Sequence, residues 1–372
     1  MGIEIIVVGA GVVGLAVARR LKSIGHEVLV IDRQPRAGME VSSRNSEVVH
    51  AGLYYPAGSL RGKLCVEGRR KLLDFCDAAG VSVRKTGKLI VATTPDEVTK
   101  LDAIASSASA NKAEPLQHLS GAEAQRLEPK LRCVAALLSP GTAVVDTHQL
   151  ILALQADVEN AGGIVAFNTS VTDIGRDDAG AFVVETKDAA GATSRMTSQR
   201  LVIAGGLGAT ELGAKLTYGG DYRVPRTYPA KGHYFSLSGK SPFSHLIYPV
   251  PHGAWLGIHL TLDIAGRARF GPDIEWCDEV SYAFDDDDGA RRARFEAEVR
   301  RYWPGLPDRA LQPDSTGVRP KIYAEAEPIA DFAIHGPEQH GVDGLVALYG
   351  IESPGLTSCL AIGDYVASVL ET

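Results

Sequence analysis

An α/β fold is predicted by three features of the chain. A β-branched run near the start leads into a glycine-rich turn. Two later apolar runs also end in glycines, and stretches rich in β-branched and aromatic residues lie between them. The length of 372 residues suits two domains better than one. Hydrophobic residues at 45% and charged residues at 22% place the chain among globular proteins. A net charge of −7 argues against a nucleic-acid partner, yet leaves room for a basic pocket facing an acidic ligand. Cys65, Cys76, Cys133, Cys277 and Cys359 form no CxxC pair. Neither a disulfide framework nor a metal site is expected, and a reduced cytoplasmic setting fits best. Ile3 to Ala18 is apolar, but it lacks a basic flank and three glycines interrupt it, unlike a signal peptide. No stretch is long and apolar enough for an integral membrane span.

The elements follow in chain order. Ile5-Ile6-Val7-Val8 suits a buried parallel strand. Gly9-Ala10-Gly11-Val12-Val13-Gly14 follows, then a helix to Ile24 stopped by Gly25, then the strand Glu27 to Ile31 with Asp32 at its end. This is a Rossmann-like βαβ unit with GxGxxG at its first turn. Gly9 makes the tight turn, Gly11 admits a pyrophosphate, and Gly14 allows close helix–strand packing. The helix N-terminus favours phosphate, and Asp32 can accept from a ribose hydroxyl. The motif alone does not choose between NAD and FAD. Ser42 to Ser46 reads as the cap of a following helix and as a phosphate contact. Asn168 to Ile174 is an alternating strand carrying Val171. Leu201 to Ala209 is an apolar strand running into glycines. Leu345 to Leu348 is a further strand, followed by Tyr349 to Thr357 and a helix through Leu370. The candidate cofactor contacts are Gly9, Gly11, Val13, Gly14, Asp32 and Arg33; Ser43, Arg44, Asn45 and Ser46; Val171; Gly205, Gly206 and Leu207; and Gly350, Gly355, Leu356 and Thr357.

Val83 to Thr93 and Arg223 to Leu262 carry strand-like composition. Pro95-Asp96-Glu97 opens one helix, and Ser120-Gly121-Ala122-Glu123 resembles a capping box before another. Asp285 to Gly289 lacks the glycine and glutamate spacing of a calcium loop. With Arg291, Arg292, Arg294, Arg300 and Arg301 behind it, it reads as the start of a solvated helix.

The order of these segments resembles the D-amino-acid oxidase-like superfamily of FAD-dependent oxidoreductases. Ser42 to Tyr55, Pro56 to Leu60 and Lys63-Leu64-Cys65 are similar to the L-2-hydroxyglutarate dehydrogenase/oxidase group. Ile247 to Pro251, Gly257 to His259 and Gly317 to Lys321 are similar to the same group. Glu352 to Thr357 departs from the Ala-rich segment of that group. The resemblance implies FAD as cofactor, held by a Rossmann-like domain of the glutathione-reductase type over residues 1–80, 142–215 and 318–372. A substrate domain with an α+β fold on a mixed or antiparallel sheet would take residues 81–141 and 216–317.

It also implies the chemistry. A 2-hydroxy acid needs a cationic clamp for its carboxylate and a base for its hydroxyl proton. Arg319 matches the superfamily's substrate-facing arginine, and a guanidinium holds a carboxylate bidentately. Lys321 is placed to hold a second carboxylate or to sit near the flavin. His50, His259 and His233 are the candidate bases. Tyr54 and Tyr55 are candidate hydrogen-bond partners for substrate oxygens. The helix starting near Leu356 would favour negative charge on the flavin. The expected reaction is oxidation of an L-2-hydroxyglutarate-like acid to the 2-oxo acid. An amino-acid or amine oxidase of the glycine oxidase type is the alternative, and a flavin-binding sensor without turnover is a third reading. Oxygen, a quinone or another flavoprotein would accept the electrons, in the cytoplasm or peripheral to the inner membrane.

Overall fold

Branched apolar side chains account for the central sheet. The computed structural model describes residues 2–251 and 257–371. In it the strands Ile164–Ala166, Val28–Ile31, Gly2–Val8, Thr193–Ile203 and Leu345–Tyr349 lie parallel in that order, with Ala333–His335 antiparallel at the far edge. Val7 is level with Val30 and Val202, and Val202 with Val346. Side chains alternate between the two faces of a strand. Ile5, Val7, Val30 and Val202 therefore pack on one side, against the helices Val12–Ser23, Leu60–Ala79 and Gly355–Glu371. Ile6, Val8, Leu29, Ile31 and Ile203 pack on the other, with Phe182 and Ile174 of an antiparallel meander. With both faces covered, the strands read as unbroken apolar runs. Each such fully buried side chain contributes about 1.5–3 kcal/mol relative to exposure.

The second large sheet is mainly antiparallel. Its order is Glu275–Trp276, Tyr228–Leu237, Ala268–Phe270, Leu260–Leu262, Leu246–Pro249, Lys88–Ala92, Ala135–Ser139 and Gln117–Ser120. One pair, Leu246–Pro249 with Lys88–Ala92, is parallel, so the sheet is mixed. Leu311–Lys321 pairs along the whole of Tyr228–Leu237. The expected division before residue 318 thus falls inside this strand, and Arg319 and Lys321 are presented to the site by the second sheet. A small sheet of Val48–Val49, Ala143–Val145 and Val83–Arg84 lies apart from both.

Several local expectations meet the structure directly. Ser120 and Glu123 form a reciprocal capping box. Pro95–Glu97 is a short 3₁₀ turn leading into Val98–Ala110. Ser42 to Ser46 does not cap a following helix. It forms a 3₁₀ turn at Val41–Ser43 and a loop, and the next helix is capped by Ser59, whose Oγ accepts from the Gly62 N–H at 3.1 Å. The helix Ala290–Tyr302 is not simply solvated, because Arg291 is buried and pairs with Asp273 and Glu275. Within the strand-rich stretch Arg223 to Leu262, residues 252–256 lie outside the described residues. Among the described residues no helix is long and apolar enough to cross a membrane.

Candidate active site

The glycine turn after the first strand owes its shape to contacts that exclude side chains. Gly9 has φ +112°, and a Cβ there would run into the carbonyl of Ala204. A Cβ at Gly14 would strike the carbonyl of Gly9, so Gly14 serves the close packing of helix on strand rather than the cavity wall. Asp32 closes the turn. Its carboxylate accepts from the Ala10 N–H at 2.6 Å and the Gln34 N–H at 2.8 Å. Burial raises its pKa despite these bonds. Ser42 Oγ accepts from the Val12 N–H at 2.9 Å and so ties the loop to the start of the first helix.

From this turn a cavity of about 1290 Å³ runs to the second sheet. Gly9, Gly11, Val13, Asp32, Arg33, Arg44, Asn45, Ser46, Val171, Gly205, Gly206, Gly355 and Leu356 lie on its wall, as do His50, His259, Tyr55, Arg319 and Lys321. The starts of the first and last helices therefore face one cavity. Five expected contacts lie off the wall. Gly14 is explained above. Ser43 turns its hydroxyl back to the Glu40 carbonyl, and Ser42 takes the wall position. Leu207 is the middle of the 3₁₀ turn Gly206–Gly208, whose two glycines face the cavity. Gly350 turns at φ +66°, against the side chain of Ile322. Thr357 is fully buried, and its Oγ1 accepts from the His50 N–H at 3.0 Å and donates to the Val48 carbonyl at 3.3 Å. It pins the loop before His50 to the last helix.

Several wall residues have their polar groups committed within the protein. Asn45 donates to the Ser42 carbonyl at 2.7 Å and accepts from the Glu47 N–H at 2.8 Å. Ser46 Oγ lies 3.1 Å from Tyr234 OH. Arg33 pairs with Glu40 at 2.6 Å, and the Arg44 guanidinium stacks 4.1 Å from the Tyr282 ring centroid.

At the far end of the cavity sits a buried charge cluster that local sequence does not reveal. Lys321 Nζ lies 3.0 Å from both oxygens of Glu352, and Arg61 donates to Glu352 at 3.1 Å. Lys321 also donates to Tyr323 OH. Arg61, Lys321 and Glu352 are each 7% exposed. Burial pushes the Lys321 pKa down. Burial alone would raise that of Glu352, but Lys321, Arg61 and Arg319 outweigh it and hold the carboxyl below its usual range. The carboxylate held by Lys321 here is thus the protein's own. Arg319 is less committed: among the described residues its guanidinium hydrogen-bonds the Asp273 carbonyl, at 3.3 and 3.4 Å.

The histidines separate. His50 lines the cavity with Nε2 3.3 Å from Ser353 Oγ. Burial, with Lys88 adding to it, pushes its pKa down to about 3. His259 also lines the cavity, stacked on Tyr248 at 3.6 Å between centroids. His233 is fully buried, is not on the wall, and pairs through Nδ1 with Asp273 at 3.0 Å, so it is withdrawn from the candidate bases. Among the described residues no group of three or more His, Cys, Asp or Glu could hold a metal ion.

The pattern of the DAO family, FAD dependent oxidoreductases, matches residues 4–369. The chain is 42% identical to the mitochondrial L-2-hydroxyglutarate dehydrogenase of Arabidopsis thaliana, over 98% of this chain and 83% of that protein. It is 25% identical to the L-2-hydroxyglutarate dehydrogenase of Escherichia coli K12, over 99% of this chain and 93% of that one. Its fold matches the L-alpha-glycerophosphate oxidase of Mycoplasma pneumoniae at a TM-score of 0.88 and 23% identity, covering 100% and 95% of the two chains. This chain belongs to the family of FAD-dependent oxidoreductases and is an enzyme with FAD as its cofactor.

Proposed function

We propose that the chain oxidises L-2-hydroxyglutarate to the corresponding 2-oxo acid. One observation carries the reading: a single cavity joins a dinucleotide cradle to a cluster of Arg61, Arg319 and Lys321 around one carboxylate, with His50 and His259 on the same wall. Three cations against Glu352 leave positive charge for a substrate that brings two carboxylates. The likeness to L-2-hydroxyglutarate dehydrogenases supports that substrate.

The residues fit FAD, because a Cβ at Gly9 would fill the turn and the carboxylate of Asp32 is desolvated beside it. Gly9, Gly11 and the first helix would hold the pyrophosphate, and Asp32 the ribose. Gly355 and Leu356 would flank the ring system. When bound, FAD supplies the hydride acceptor. Arg319 holds and orients a substrate carboxylate. His50 or His259, both on the cavity wall, takes the hydroxyl proton, and burial makes His50 a weak base while the site is empty.

Anaerobic bleaching of the flavin tests the reading. L-2-hydroxyglutarate should bleach it, while the D-enantiomer, glycine and N-methyl amines should not. Bleaching by glycine with no response to the hydroxy acid would replace this proposal with an amine oxidase. Reoxidation with oxygen, a quinone analogue or an oxidised flavoprotein then identifies the acceptor.

A further inference from the structure

Lys88 stands out from every other lysine described. It opens the otherwise apolar strand Lys88–Ala92, is 0% exposed, and its Nζ has no hydrogen-bond partner among the described residues. Its ammonium is wedged 4.7 Å from the ring centroids of both Tyr54 and Tyr248. Both rings line the cavity. His50, which interacts electrostatically with Lys88, lies on that wall too, and His259 stacks on Tyr248. An unpaired cation so placed is costly unless a partner arrives.

We infer that Lys88 is a positioning residue that senses the substrate's negative charge through the Tyr54–Tyr248 wall and takes up a proton when a carboxylate binds. This rests on the proposed substrate class. The two tyrosine faces contribute cation–π attraction but no charge. Among the described residues, His50 and Cys65 are further titratable groups that interact with Lys88. Burial pushes Lys88 down to about 7, so near neutral pH it is partly deprotonated in the empty site. His50, pushed to about 3, and Cys65, pushed up to about 12, both stay neutral between pH 7 and 9. An anion in the cavity stabilises the ammonium form, and the proton comes from solvent. Lys88 thereby sets the pH range over which an anion binds well, without touching the reacting atoms.

The test is calorimetric binding of 2-oxoglutarate, and separately of a 2-oxo monocarboxylate, to the FAD-loaded enzyme at pH 8. Two buffers of different ionisation enthalpy report the protons taken up. Wild type should take up about half a proton per anion bound. Lys88→Met, which keeps the volume, should abolish that uptake and weaken binding about tenfold at pH 7. Uptake unchanged in Lys88→Met, or absent from wild type while the anion binds, overturns the inference. The wild-type measurement decides even where the variant fails to fold. If only the monocarboxylate binds, with uptake that requires Lys88, the role stands and the dicarboxylate reading falls. If neither anion binds, both fall.

Discussion

Replacing Glu352 by Gln removes one charge from the centre of the buried cluster while keeping its shape. Glu352 Oε1 is shared by Lys321 at 3.0 Å and Arg61 at 3.1 Å. Unit charges at that separation attract by about 5 kcal/mol at an effective dielectric near 20, before desolvation is subtracted. Removing one member of a buried pair typically costs about 3–5 kcal/mol, because its partners stay buried without compensation. The lower end applies here, since Lys321 keeps Tyr323 OH as a partner. A loss of about 3 kcal/mol would lower the Tm of a chain of this size by about 4 °C. The pH dependence has a definite sign. The carboxyl of Glu352 is held below the ordinary value of 4.5, so its stabilising contribution is fully present above that value. It is lost as pH falls through the lower folded value. The Gln variant should therefore lack that part of the acid-side decline. A dianion in the cavity can replace the missing charge, so saturating 2-oxoglutarate should raise the Tm of the variant more than that of wild type. Differential scanning calorimetry from pH 3 to 8, with and without the anion, reads all of this. Equal Tm values for the two proteins at pH 7, or equal ligand shifts, would refute charge balance as the cluster's organising feature.

Three further outcomes follow from the same geometry. Asp32→Ala removes the acceptor for the Ala10 N–H and should weaken FAD retention about tenfold or more, measured by flavin release on dilution. Gly355→Leu adds bulk where even a Cβ would lie 2.9 Å from Ile351 Cγ2, and should deplete FAD from the purified enzyme or lower the flavin potential; an unchanged flavin content and potential would remove the last helix from the cofactor site. Thr357→Val deletes the bonds to the His50 N–H and the Val48 carbonyl and should cost about 1–3 kcal/mol in urea unfolding. It should also slow anaerobic flavin reduction, because the loop carrying His50 is released.

What could be read from the sequence was local. The turn at Gly9 and Gly14 and the capping box at Ser120 are set by residues within a few positions of one another, so their chemistry stands in the sequence. The charge cluster was hidden because its members come from different elements. Arg61 and Glu352 are 291 residues apart and meet only because the second helix packs on the last one. Lys321 could be named as a candidate, but its partner could not, since the pairing depends on a strand of the second sheet reaching the Gly350 turn. The one available signal is Glu352 itself, a lone acid in the glycine- and proline-containing segment ahead of the last helix. Lys88 left a similar trace, a single charge at the head of the apolar run Leu89 to Ala92. The cap expected of Ser42 to Ser46 fails for the opposite reason. Its residues suit a cap, but the helix whose start Ser42 supports lies 30 positions earlier in the chain.

The same cluster separates the two enzyme readings on physical grounds. A glycine-like substrate reaches the site as a zwitterion or with a neutral amine, so it offers one carboxylate and, in the first case, an ammonium as well. Arg61, Arg319 and Lys321 stand against the single carboxylate of Glu352, and Arg61 and Lys321 are almost fully desolvated. An ammonium brought among them meets repulsion that the low effective dielectric strengthens. A 2-hydroxy dicarboxylate brings two negative charges and an uncharged hydroxyl, which suits the net positive cluster and needs a base. His50 and His259 stand on the same wall as the two candidates for that base. Substrate preference should follow charge as well as shape: esterifying the distal carboxylate of L-2-hydroxyglutarate should weaken its binding far more than shortening the chain by one methylene. Equal binding of the ester and the free acid would show that the cations serve the fold and not the substrate.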